Sequence, residues 1–290
     1  MDYYLQSLLL GLALAPMCWG IFITLRIFNF PDITTDGSYT LGAATTAVML
    51  FLDQSPWLAM LCGTLSGMLS GIATGIINTR LKVNPLLAGI LVMTALYSFN
   101  LFIMGRSNIP LLQKVSILNY PDGGPYQTNW AIFVFATIGF VVFAVILMLL
   151  HTDYGIAMRA TGNNEKMVSA FGVNPQKLKI AGLAIANGMT ALSGSLVAQL
   201  QGFADINMGI GIVIFGLGAA MIGERITQMI NRQSLLWRML GVLLGCLIFR
   251  GAIALAISSG IDPLWLKAIT ALFVLIFVAY PSKSSFKLKF

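Results

Sequence analysis

The chain has 290 residues, 58% of them hydrophobic and only 9% charged, with a mean hydropathy of +0.86. A soluble domain of this length could not keep so apolar a surface wetted, so the composition excludes an ordinary globular enzyme or binding module. The formal net charge is +7, but the basic residues sit mostly at the ends of apolar runs, so the charge reads as membrane orientation and not as nucleic-acid binding.

Apolar runs recur near residues 4–26, 39–53, 57–79, 85–105, 130–151, 180–203, 209–223, 235–258 and 263–280. Most are about as long as the ~30 Å hydrocarbon core of a bilayer requires of a helix. They predict an all-α chain, a single transmembrane domain over residues 1–290 with about 8–10 transmembrane or re-entrant helices. The short alternating strands of a membrane β-barrel are absent. Runs two and seven are only about 15 residues long, which suits half-helical or re-entrant segments.

Asp2 precedes the first run and Arg26 follows it, with no basic residue ahead, so no cleaved signal peptide is expected and the N-terminus is predicted outside. Arg80 and Lys82, the loop 152–179, Arg225, Arg232 and Arg238, and the tail lysines Lys283, Lys287 and Lys289 then share the cytoplasmic side. The segment 106–129 and the turns near Asp205 and Asp262 fall opposite. This alternation predicts about nine crossings and a cytoplasmic C-terminus.

Residues 29–40, NFPDITTDGSYT, interrupt the apolar pattern. Pro31 removes a backbone donor and Gly37 permits unusual dihedrals, so a broken helix is expected here. Asp32, Thr34, Thr35, Asp36 and Ser38 place oxygens beside the freed backbone. Two readings stay open: a discontinuous helix bordering a transport route, or an interfacial loop in which Asp36 or Ser38 caps the next helix.

In the third run, Gly63, Gly67, Gly71 and Gly75 recur at four-residue spacing, with Ser66, Ser70 and Thr74 beside them. That spacing forms one helical stripe where a neighbouring backbone can approach, or a smooth wall along a pathway. Gly241 and Gly245 repeat the device once. The tetrapeptide LGAA occurs at 41–44 and 217–220, too short a match to establish an inverted repeat. Asn100, Asn187, Ser193, Ser195, Gln199 and Gln201 are polar residues in or beside spans, suited to interhelical hydrogen bonds or, for Asn187, Gln199 and Gln201, to a hydrophilic route.

Residues 152–178, TDYGIAMRATGNNEKMVSAFGVNPQKL, are the most polar stretch and carry Arg159, Glu165, Lys166 and Lys177. A helix-compatible insertion of this size between spans suits a surface gripped by a soluble partner. Arg250 lies about halfway along the eighth run, in LIFRGAIALA. An arginine at that depth is costly, so it is expected to pair with a carboxylate such as Asp205, Asp262, Asp32 or Asp36, to meet an anionic solute, or to snorkel. Cys18, Cys62 and Cys246 lie in apolar runs without metal-like spacing, and the lone histidine is His151. No metal site, nucleophile–base set or G-x-x-x-x-G-K-[ST] loop is present, so no catalytic residue and no bound cofactor is expected.

Two of these stretches resemble the permeases of ABC importers of the branched-chain amino acid and ribose type. One is YGIAMRATGNNEKMVSAFGVN at 154–174; the other is FPDI at 30–33 with DGSYTLGA at 36–43. GLGAAMIGE at 216–224 is a looser match. The resemblance covers most of residues 10–280 and is nearest a subgroup that works with lipoprotein substrate-binding proteins, some handling aromatic amino acids. The first span lacks the glycines that precede the acidic residue in ribose-type permeases, which argues against sugar.

The resemblance implies a multi-pass protein of the bacterial plasma membrane, two permease copies around one route, and no covalent step in the permease. It implies separate P-loop ATPase subunits that use the ATP and an extracytoplasmic substrate-binding protein. The ATPase would engage the cytoplasmic segment 152–179 through Arg159, Gly162, Asn163, Asn164, Glu165, Lys166, Ala170 and Gly172. Asp32, Thr35, Asp36, Ser38, Asn187, Gln199 and Arg250 are the pathway candidates. The solute would be an amino acid or related small organic molecule. The residues alone leave a second reading, a stand-alone secondary transporter or channel with Asp32, Asp36 and Arg250 as ion sites.

Overall fold

The computed structural model describes residues 2–112, 114–119, 128–230, 234–260, 262 and 265–279. Arg232, Lys283, Lys287 and Lys289, and residues 113 and 120–127 of the segment 106–129, lie outside them.

The chain is an all-α polytopic membrane protein. α1 (Asp2–Phe22) contains Pro16, whose neighbour Met17 donates its N–H to the Ser193 hydroxyl at 2.9 Å. Its last turn widens into a π-helix over Ile23–Ile27. α2 is Thr34–Phe51. α3 (Pro56–Thr79) and α4 (Pro85–Met104) both open on a proline, where the missing N–H has no intrahelical partner to lose. Asn84 caps α4 by accepting the Leu86 N–H, and Gly105 closes it in the left-handed region. α5 (Thr128–His151) leads into two short helices, α6 (Asp153–Asn163) and α7 (Glu165–Ala170). α8 is Pro175–Gln201, α9 Ile212–Met229, α10 Leu235–Ser258 and α11 Leu266–Ala279.

Among the described residues, α1, α3, α4, α5, α8, α9 and α10 are long and apolar enough to cross a membrane. α2 is too polar and α11 too short to reach that measure alone. Within its most apolar window, 83% of α8 is buried against 22% of α5, so α8 is the central post and α5 faces lipid. α1, α2 and α3 pack around α8, and α9 pairs with α10 beside α1.

Two ends of the bundle are distinguished. At one, β1 (Asn108–Pro110) and β2 (Phe203–Asp205) form an antiparallel ribbon that joins the segments following α4 and α8. The all-α expectation did not include this ribbon; three-residue strands carry too little alternation to be read. At the other end lie α6 and α7, and there Arg26 pairs with Glu224 of α9.

The broken helix is narrower than the expected 29–40. The irregular stretch is 28–33, with Asn29 in a positive-φ conformation, and α2 is helical from Thr34. The Asp32 carboxylate accepts the Thr34 N–H at 2.9 Å, so the capping side chain is Asp32 and not Asp36 or Ser38. Gly37 sits inside α2, where a Cβ would press on Leu96 and the Met93 backbone. Run two therefore begins five residues earlier than its hydropathy shows, because its first turns are built of Thr, Asp and Ser.

Candidate functional site: an exposed helical elbow and a polar seam beneath it

The elbow is built by local caps. Thr152 accepts the Gly155 N–H and starts α6; Asn164 accepts the Met167 N–H and starts α7. Asn174 accepts from Gln176 and Lys177 and starts α8. Between α7 and α8, Gly172 adopts φ +79°, a region that disfavours any side chain. Met158 and Val168 face inward and hold the elbow against the bundle, whereas Met167 and Phe171 project outward, Phe171 with 77% of its surface exposed.

The predicted elbow residues divide into two sets. Asn163, Asn164, Glu165, Lys166, Ala170 and Gly172 are exposed. Glu165 pairs with Lys179 of α8 at 2.5 Å, a partner that sequence spacing did not suggest. Gly162 instead abuts the α1–α2 break: a Cβ there would collide with the Ile27 carbonyl, and its own carbonyl accepts from the Asn29 side chain at 2.9 Å. Arg159 lines a cavity of about 320 Å³ with Phe22, Arg26, Ile27, Leu235 and Arg238. Partial burial raises the Tyr154 phenol above its ordinary value, so it stays neutral.

From the break a seam of buried polar groups runs into the bundle. Asn187 of α8 donates to the Asp32 carboxylate at 2.7 Å and accepts from the Ser38 hydroxyl at 2.6 Å. Ser38 also meets Ser70 at 2.7 Å, and Thr34 meets Thr74 at 2.8 Å. The Thr35 hydroxyl donates to the Asp32 carbonyl at 3.3 Å. Asp36 is engaged elsewhere: its carboxylate accepts the N–H groups of Gly211 and Val213 at 2.8 and 3.0 Å and so caps α9. Gln199 accepts the Ile117 N–H at 3.0 Å, while its buried Nε2 has no hydrogen-bond partner.

Gly63, Gly67, Gly71 and Gly75 all face α8, where a Cβ would meet Ser195, Ala191, Leu183 and Ile180 in turn. The stripe thus lies at a helix–helix seam. Gly241 and Gly245 likewise lie against Gly223 and Ala219 of α9.

Arg250 departs from the expected ion pair. Asp32 and Asp36 are satisfied by other groups, and among the described residues Arg250 forms no salt bridge. Its buried Nε has no hydrogen-bond partner. It lines a cavity of about 360 Å³ at the ribbon end, together with Tyr39, Gln201, Asp205 and Asn207. Sequence reading gave no role to Tyr39 or Asn207, which carry no charge or break to mark them.

The chain matches the family of branched-chain amino acid transport system permease components over residues 3–279. It is 39% identical to a tyrosine transport system permease protein of Clostridioides difficile, covering 94% of this chain and 88% of that one. It is 22% identical to a nucleoside ABC transporter permease of Lactococcus lactis, over 80% and 75% of the two chains. A ribose import permease of Haemophilus influenzae is 26% identical over 75% and 66%. No solved structure matches the chain.

Proposed function

The chain belongs to the branched-chain amino acid transport system permease family, and from that premise we propose that two copies of it form the route for an amino acid or related solute. Separate P-loop ATPases drive the route from the α6–α7 end, which is cytoplasmic, and a substrate-binding protein delivers solute at the ribbon end. The chain itself carries out no covalent step. The amino-acid assignment is supported by the tyrosine permease being far more similar than the ribose or nucleoside permeases.

The observation that carries the coupling role is the elbow's two-sided construction. Outward it offers Met167 and Phe171, an apolar pair flanked by Lys166. Inward, Gly162 and Asn29 tie it to the α1–α2 break, beside which the Asp32–Asn187–Ser38 seam begins. A push on α7 therefore has a short, packed path to the helices around the seam.

Affinity purification of the tagged chain from its native membrane tests this. A P-loop ATPase is expected at stoichiometric level, and the double substitution M167S/F171S is expected to lose it while still inserting. Gradient-driven uptake by the purified chain alone, with no ATPase, would overturn the proposal and favour a secondary transporter.

A further inference from the structure

We propose that the cavity at the ribbon end binds the zwitterionic head of an α-amino acid, Arg250 taking the carboxylate and Asp205 the ammonium group. The inference rests on the importer-permease reading and names the class of solute that its route recognises.

Four observations converge on this cavity. First, Arg250 is held within the membrane-spanning part of α10 with its Nε buried and unpartnered. A guanidinium is always charged and offers five donors in a fork that matches a carboxylate, and Arg250 lines the cavity without a salt bridge among the described residues. Second, Asp205 lines the same cavity but lies beyond ion-pair distance of Arg250. Two opposite charges that share a cavity without closing on each other leave room for a ligand bearing both signs.

Third, the Asp205 carboxylate is only partly used. It accepts the Asn207 N–H at 2.8 Å and a longer contact from Asn108 at 3.4 Å, which leaves acceptor capacity free. Fourth, Leu10, Leu14, Val197 and Ile212 give the cavity an apolar wall beside the polar Tyr39, Gln201 and Asn207, and about 360 Å³ is within the range of small-ligand sites. A neutral sugar or nucleoside would satisfy neither charge, and a simple organic anion would satisfy only Arg250. An amino acid satisfies both and leaves its side chain to the apolar walls.

The test uses the full permease purified with its ATPase and titrated with L-tyrosine. It is compared with tyramine, which lacks the carboxylate, and 3-(4-hydroxyphenyl)propionate, which lacks the ammonium group. The wild type is expected to prefer L-tyrosine over both. Arg250→Gln is expected to bind roughly tenfold or more weakly and to stop distinguishing L-tyrosine from tyramine. Asp205→Asn should instead stop distinguishing it from the propionate. Should Arg250→Gln fail to fold, Asp205→Asn is read in its place: it lies on the ribbon away from the bundle core, and an unchanged preference for L-tyrosine over the propionate would overturn the site.

An arginine with a merely structural role would lower the melting temperature of the variant and leave analogue selectivity unchanged. That result, or a wild type that binds none of the three compounds, overturns the site. ATP-driven uptake by the wild-type complex with its binding protein is measured alongside. Uptake that persists without any change in selectivity removes the site alone, whereas uptake independent of the ATPase removes the permease reading on which it rests.

Discussion

Asp36 stands in the first turn of α2, yet its two oxygens receive the Gly211 and Val213 N–H groups that open α9. The carboxylate therefore satisfies orphan donors of α9 alone, while its negative charge in the first turn of α2 also complements that helix's dipole. Water is scarce at this buried position, so removing the acceptor leaves two amides unpaired. Asp36→Ala is expected to destabilise the folded protein by on the order of 2–3 kcal/mol, and Asp36→Asn, which retains one acceptor oxygen, by about half as much. Thermal unfolding in mild detergent measures both. An alanine variant melting within about one degree of wild type would show that α9 is held by packing alone.

At the scale of elements, the most extensive joint is between α3 and α8, and it is made by absence of side chains. Gly67 lies against Ala191 and the Asn187 backbone, so no β-carbon fits without moving a helix. Gly67→Leu is expected to part the two helices and break the nearby Ser38–Ser70–Asn187 contacts, with a loss of about 2 kcal/mol or more. Leu69→Ala, on the exposed face of the same helix, is the control and should be near neutral. Equal melting temperatures for the two variants would refute the close joint.

This stripe was legible in the sequence because its four-residue period coincides with a helix face. The long apolar helices were legible for the same kind of reason, since hydropathy is a local signal; the elbow was legible as a polar, helix-compatible insertion, though its caps Thr152, Asn164 and Asn174 were not read. What the sequence withheld is long-range. Asp36 reads as a local cap, but its partners lie some 175 positions away. Glu165 pairs with Lys179 across the α7–α8 turn and not with adjacent Lys166. Arg250 looks like half of an ion pair because nothing local says that the other carboxylates are already engaged. The start of α2 was missed because hydropathy penalises the very Thr, Asp and Ser residues that hydrogen-bond α3, α8 and α9.

For the whole molecule, everything proposed depends on which end faces the cytoplasm. The α6–α7 end gathers Arg26, Arg159, Lys166, Lys177 and Lys179, while the ribbon end carries fewer basic residues, Arg106 and Lys114, the latter paired with Asp53. Basic residues near span ends are retained on the cytoplasmic side, so the asymmetry supports the proposed orientation, with the elbow inward and the cavity of Arg250 outward. Single cysteines introduced at Ser169 on α7 and at Asn108 on the ribbon, after replacing Cys18, Cys62 and Cys246 by alanine, make the orientation measurable. A membrane-impermeant maleimide applied to intact spheroplasts is expected to label position 108 and to reach 169 only after lysis. The reverse pattern would put the elbow out of reach of any cytoplasmic ATPase and would turn the Arg250 cavity inward. It would therefore overturn both proposals at once, whereas labelling at 108 alone leaves each to stand on its own chemistry.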